Sequence, residues 1–360
     1  MSTPKSATVK SLDVAKVQAF QGRVLSDLAA AAGVACANIG DRLGLYKIMA
    51  QSGPTTAIEL AKRSGTNERY IQEWLLNQAA GGYVEFDRAS GEYVLPAEHA
   101  AVLADEESDV FAAGGFQLFM ALLRSEPQIA ECFRSGEGME WGKHDPNVFT
   151  GTERFFRPAY IGQLVSNWIP AIAGLQEKLE AGAKVADVGC GHGASTMVMT
   201  RAFPKSSFHG FDSHQPSIEQ AAQQAERSGL SSRVSFSTFG ASEFPGDSYD
   251  LIAFFDCLHD MGDPVSACRH AAQALKSDGC VMIVEPMAGK ESQDNFNVVG
   301  RAFSGASVLC CTPNAMASGK HALGTIAPDH ALEAVVKAGG FKHFNRVAET
   351  AVNRIFEARL

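Results

Sequence analysis

The sequence predicts an α/β protein in which a parallel sheet, covered by helices on both faces, follows a smaller and mainly helical domain. Three observations predict it. From Lys184 onward, short apolar runs alternate with helix-length segments, the pattern of β-α-β units whose strands are buried on both faces. The first of those runs, Val185-Ala186-Asp187-Val188, leads straight into Gly189-Cys190-Gly191-His192-Gly193, a strand entering a tight glycine turn. Upstream, the chain reads as helix, turn, helix, then two short alternating runs around Ala89-Ser90-Gly91. That is the order of a winged helix. The expected division is a helical, winged-helix domain over residues 1–105, a helical connector and pocket-lining segment over 106–178, and the sheet-bearing domain over 179–360.

Residues 1–10 are polar and expected to fray. Residues 14–50 read as helical, with Val17, Phe20, Val24, Leu25 and Leu28 at helical spacing, followed by Ile39, Leu43, Leu45 and Ile48. Gly53-Pro54 ends that segment. Thr55 or Thr56 is placed to cap a helix that Gly65 closes, and Thr66 or Asn67 to cap the next, which puts Ile71, Trp74 and Leu75 on one face. Residues 97–180 read as mostly helical with a break at 135–153, a Gly-rich polar stretch holding Trp141 and Phe149. It reads equally as a pocket-covering loop or a linker. His144 and Tyr160 are pocket candidates because they precede the sheet.

In the last domain the expected strands are VADVGC, SFHGFD, RVSFST, YDLIAFFD and GCVMIVEP, with FKHFNRV and AVNRIFEARL as the final two. Helices are expected between them, through Phe203 and over 216–228, 264–276 and 329–338.

Composition narrows the function. The chain of 360 residues carries a formal net charge of -9, which argues against general affinity for phosphate backbones. From Asn67 to Leu95 the five acids Glu68, Glu73, Glu85, Asp87 and Glu92 outweigh Arg69 and Arg88, so the winged helix lacks the positive charge of a DNA reader. None of the eight cysteines forms a C-x-x-C pair, and neither a zinc, redox nor divalent-metal site is legible. No uninterrupted apolar run approaches the ~18 residues of a membrane helix. A reduced, cytoplasmic protein without a membrane anchor is expected.

The site is expected along one sheet edge, because ligands of parallel sheets bind at the carboxyl ends of strands. Gly189, Asp212, Asp256 and Glu285 all fall at such ends, and Asp187 lies within the first strand. Asp212 is placed to accept both hydroxyls of a ribose. Gly189, Gly191 and Ala194 also satisfy the permissive dinucleotide pattern G-x-G-x-x-G/A, so an NAD-dependent oxidoreductase is the rival. The acids favour a cationic ligand, since a diphosphate gains nothing from nearby carboxylates.

Read together, VADVGCGHG, GFD, YDLIAFFDCLHDMGDP and GCVMIVEP resemble the class I S-adenosylmethionine-dependent methyltransferases. The likeness is to bacterial members with an N-terminal winged-helix domain and, more distantly, to small-molecule O-methyltransferases. It covers residues 40–105 and the chain from about 154. It implies a Rossmann-like sheet and S-adenosylmethionine as cofactor, with Gly189, Gly191 and Gly193 along the methionine part and Asp212 on the ribose. Relatives often carry an Asp after the third strand for the adenine amine; Gly240 stands there, leaving backbone groups of the Ala241 region or Ser242. The resemblance also implies a base at His259, assisted by Glu285, with Met261 where a Trp usually follows. It implies a small-molecule acceptor, a homodimer built through the first domain, and no DNA partner. Histidine suits an oxygen acceptor. A thiol needs less help to ionise, so S-methylation stays open, as does a winged-helix regulator that senses the cofactor.

Overall fold

The computed structural model describes residues 12–319 and 321–360; the polar stretch 1–10 lies outside them. The chain divides into two compact units, Met1–Ala104 and Asp105–Leu360, so residues 106–178 belong with the sheet.

The first unit contains helices α1 (Val14–Arg42), α2 (Leu45–Ser52), α3 (Ala57–Ser64) and α4 (Glu68–Ala80), hairpin strands β1 (Glu85–Asp87) and β2 (Glu92–Val94), and α5 (Ala97–Leu103). The single helical segment expected over 14–50 is two helices, because Gly44 turns the chain at φ 68. Thr56 and Glu59 cap α3 reciprocally, and Asn67 caps α4. Trp74 of α4 packs on Tyr46 with ring centroids 5.3 Å apart, and its indole N–H donates to the Cys36 carbonyl at 2.9 Å. Its ring fits only because Gly40 has no side chain; a Cβ there would lie 2.5 Å from it. Along α1, Phe20, Leu25 and Leu28 stand exposed, each more than 60%. Among the described helices, α1 alone has the length and mean hydropathy of a membrane span, with 17% of the relevant stretch buried.

The second unit opens with α6 (Ala113–Leu123), α7 (Glu126–Ser135), α8 (Pro146–Ala159) and α9 (Leu175–Ala181). The break expected over 135–153 ends at Asp145, whose carboxylate caps α8. Pro146 occupies the first helical position, where its missing N–H costs nothing, so residues 146–153 are helix. A wide π turn, Tyr160–Trp168, continues α8.

The sheet follows: β3 (Lys184–Val188), α10 (Ala194–Ala202), β4 (Ser207–Asp212), α11 (Gln215–Arg227), β5 (Val234–Thr238), β6 (Tyr249–Phe255), α12 (Pro264–Ala274) and β7 (Leu275–Pro286). An insertion holds α13 (Val298–Ala306), a second π turn (Ser307–Cys311) and α14 (Thr312–Ser318). Helix α15 (Asp329–Ala338) and strands β8 (His343–Glu349) and β9 (Asn353–Arg359) complete the chain. Strand order is β5-β4-β3-β6-β7-β9-β8. The pairs from β5 to β7 are parallel, and β9 is antiparallel to both neighbours. The connections run outward in opposite directions from β3 and β6, so a crevice opens between the carboxyl ends of those two strands. Separate apolar cores fill the two faces, one around Leu164, Trp168 and Met282, the other around Phe211, Phe254 and Leu332.

Candidate active site

A cavity of about 380 Å³ occupies that crevice, within the usual size of a small-molecule site. Its floor is the β3–α10 turn. Gly189 (φ 77) and Gly193 (φ 78) hold left-handed conformations, and each also packs on protein. A Cβ on Gly189 would meet Cys257 Sγ at 2.7 Å, and one on Gly193 the Phe236 ring at 2.7 Å. Gly191 differs, with nothing within 4 Å of its would-be Cβ, and it lines the cavity with Gly189. Gly193 is not part of the cavity wall; it brings α10 close to the sheet.

Asp212 closes the end of β4. One oxygen accepts the Gly191 N–H at 2.9 Å and the other the His214 N–H at 2.8 Å. A carboxylate has about four acceptor sites, so two remain for a ligand's hydroxyls. Burial raises its pKa against the pull of those two amides. Asp256 follows β6 in a left-handed conformation, φ 51, unusual for a side-chain-bearing residue. One of its oxygens accepts from Asn353 at 2.8 Å; the other is buried with no hydrogen-bond partner. Burial, then the nearby Glu285 charge, pushes its pKa up to about 8. Asp187 lies beneath the cavity rather than along it. Ser195 and Thr196 each donate to one of its oxygens at 2.6 Å, its other oxygen has no partner, and burial lifts it to about 6.

Ala241 and Ser242 line the cavity beside Phe239 and Gly240. Tyr160 lines it too, its ring 5.4 Å from Phe255. His144 does not. Its Nδ1 faces Ser125 Oγ at 3.4 Å and its ring backs Trp141, which does reach the cavity. Helix α8 contributes Phe149, Glu153 and Phe156 to the wall, the first two from within the expected break over 135–153. The signal was present: they recur at helical spacing on the face that continues to Tyr160.

His259 and Glu285 come together as expected. His259 Nδ1 is 2.6 Å from Glu285 Oε2, and Glu285 Oε1 accepts the His259 backbone N–H at 3.3 Å. Both side chains are buried, at 4% and 1% exposure, and neither lines the cavity. Burial alone would lower the imidazole, but the Glu285 charge, with hydrogen bonds to Glu285 and to Cys311, holds its pKa well above the usual value. The next residue, Asp260, does line the cavity. Asn314 of α14 ties this turn to the aromatic wall. Its side-chain N–H donates to the Asp260 carbonyl at 3.0 Å, and its oxygen accepts the Trp141 backbone N–H at 3.1 Å. Gly262 and Gly319 pack backbone on backbone beside it, a Cβ on Gly319 falling 2.1 Å from the Gly262 carbonyl oxygen.

Among the described residues the cavity wall holds five carboxylates, Glu153, Asp212, Asp256, Asp260 and Asp263, and no Lys or Arg. A diphosphate gains nothing from that wall, whereas a sulfonium and an ammonium draw its acids into their ionised form. The unpartnered Asp256 oxygen and the spare acceptor sites of Asp212 fit S-adenosylmethionine. Fold and site therefore define a Rossmann-like enzyme for a cationic nucleoside rather than a nicotinamide dinucleotide.

Residues 30–105 match the model of the Rv2258c-like winged HTH domain, and residues 179–331 match that of a methyltransferase domain. The chain thus carries a methyltransferase domain of the S-adenosylmethionine-dependent kind behind an N-terminal winged-HTH domain. In sequence it is 29% identical over 124 residues to sterol 24-C-methyltransferase of Aspergillus fumigatus, spanning 34% of this chain and 32% of that protein. It is 30% identical over 103 residues to 27-O-demethylrifamycin SV methyltransferase of Amycolatopsis mediterranei, spanning 28% and 38%. The match thus spans about a third of the length of these curated relatives. Two solved structures share the fold across nearly the whole chain. One is a candidate O-methyltransferase from Nostoc punctiforme, with TM-score 0.71 and 18% identity over 94% of this chain and 98% of that one. The other is human N-acetylserotonin methyltransferase with its S-adenosylmethionine, with TM-score 0.69 and 16% identity over 97% and 99%.

Proposed function

We propose that the protein transfers the methyl group of S-adenosylmethionine to a hydroxyl of a small molecule. The observation that carries this reading is the cavity, whose wall combines carboxylates that suit a sulfonium with aromatic rings that suit a flat acceptor. The cofactor brings an electrophilic methyl group, so the difficult electronics are its own. The chain's residues supply placement. Asp212 holds the ribose hydroxyls, Asp256 and the buried Asp187 beneath it offset the positive charge, and Gly189 and Gly191 give the methionine end close backbone. Ala241 and Ser242 meet the adenine in place of the absent Asp at 240. Trp141, Phe149, Phe156 and Tyr160 offer aromatic surface to the acceptor. Proton removal belongs to the turn at Leu258–Asp260, in which Glu285 fixes His259.

The test is a screen of the full chain with S-adenosylmethionine against phenols, carboxylic acids and thiols, following release of S-adenosylhomocysteine. Turnover confined to thiols would replace the hydroxyl by sulfur, and no binding of S-adenosylhomocysteine by calorimetry would remove the reading.

The first domain is proposed to pair two copies of the chain through the exposed apolar face of α1. Arg23 and Asp27 sit in the middle of that helix, which suits a protein partner better than a lipid core. DNA is not proposed as a partner, given the acids on α4 and the hairpin. Location in the cytoplasm is proposed from the eight free cysteines.

A further inference from the structure

The base named by sequence is His259, yet the imidazole is not where an acceptor would arrive. One ring nitrogen is held by Glu285 at 2.6 Å. The ring also hydrogen-bonds Cys311, delivered by the second π turn. Its side chain is 4% exposed and the cavity wall does not include it. Asp260, one residue on, is half-buried and on that wall. Among the described residues no hydrogen-bond donor reaches its carboxylate oxygens. Its backbone is fixed from two sides, by its own N–H on the Cys257 carbonyl at 3.3 Å and by Asn314 on its carbonyl. Nearest polar atoms of His259, Asp260 and Cys311 lie within 4.8 Å of one another.

We infer that Asp260, and not His259, is the catalytic base that touches the acceptor, while His259 and Glu285 form a buried charge pair that positions and polarises it. This inference rests on the hydroxyl-methylation reading. The acceptor's O–H proton passes to an Asp260 oxygen as the hydroxyl's electron pair bonds the methyl carbon. The breaking carbon–sulfur pair stays on sulfur, leaving a neutral thioether. A group poised near neutral pH suits that task. Burial, then the Glu285 and Asp212 charges against the opposing His259, brings Asp260 to about 7. The imidazole, by contrast, has its hydrogen bonds taken by Glu285 and Cys311, away from the cavity wall.

The test uses the full chain, Asp260→Asn and His259→Asn, each first checked for S-adenosylhomocysteine binding by calorimetry. Asp260→Ser replaces the asparagine variant if that one does not bind. Methylation is followed along a series of phenols from 4-methoxyphenol to 4-nitrophenol, the latter largely ionised at about pH 8. Losing a base matters least for an acceptor that has already lost its proton. The rate of the Asp260 variant relative to wild type should therefore climb ~10²-fold along the series, while that of His259→Asn stays level. A climb in the His259 variant with a level response at Asp260 overturns the assignment. A wild-type enzyme that binds S-adenosylhomocysteine but methylates no phenol sinks the hydroxyl reading beneath it, and the assignment falls with it.

Discussion

Glu285 grips His259 twice, through Nδ1 at 2.6 Å and through the backbone N–H at 3.3 Å, so one strand-end carboxylate sets both the charge and the position of the turn after β6. Because the folded pKa of His259 is raised, the pair's stabilisation is fully present below the unfolded value of about 6.5 and fades as pH rises through the folded one. Glu285→Gln leaves a buried imidazole without its counter-charge and is expected to cost about 3 kcal/mol at acid-to-neutral pH. Denaturant melts at pH 6 and pH 9 check it. A deficit that grows with pH would contradict the charge pair.

Asp256 runs with the same sign for a different reason. Its folded pKa of about 8 exceeds the unfolded value of about 3.9. The ligand-free protein therefore loses stability as pH climbs between those values. Asp256→Asn should flatten that slope. Cofactor binding, which favours the carboxylate, should strengthen from pH 6 to pH 9 in the wild type and much less in the variant, as measured by calorimetry.

Gly191 and Gly193 separate binding from folding within one turn. Gly193→Ala forces a methyl into the Phe236 ring and should destabilise the fold by about 1–3 kcal/mol. Gly191→Ala has open space and pays only for its left-handed backbone, about 1 kcal/mol. Its methyl enters the cavity, so cofactor affinity should drop ~10-fold or more. Thermal melts alongside calorimetry distinguish them, and equal stability losses would show that the turn is not divided this way.

Asp212→Ala should weaken the cofactor by ~10²-fold, since two charge-assisted hydrogen bonds go with it. Retained affinity would remove the ribose role.

On α1, Leu25→Glu paired with Leu28→Glu should turn a dimer into a monomer by light scattering, with the melt of the monomer cooperative. A wild-type chain that is already monomeric ends that proposal.

The sheet was legible because each strand is a buried run with its own turn chemistry: VADV before glycines, SFHGFD closing on Asp212, and YDLIAFF buried at every position. Asp212 and Asp256 were legible for the same reason, since register places strand ends in a row. What sequence could not give was depth. Asp187 and Asp256 look alike as acids near a glycine turn, yet one is pinned under α10 by Ser195 and Thr196 and the other borders the cavity. His259 and Asp260 are neighbours in the chain, and only the turn between them decides which one meets solvent. Residues 146–153 read as loop because glycine and polar residues obscured a helix that Asp145 and Pro146 start together. Asn314 was invisible, its two partners being far away in sequence.

That asparagine has a consequence for any attempt to retune the enzyme. One amide spans Trp141, against which an acceptor would stack, and the carbonyl of Asp260. Reshaping the stacking wall therefore drags on the group that deprotonates, and substrate range and chemical rate will shift in tandem rather than be adjusted one at a time.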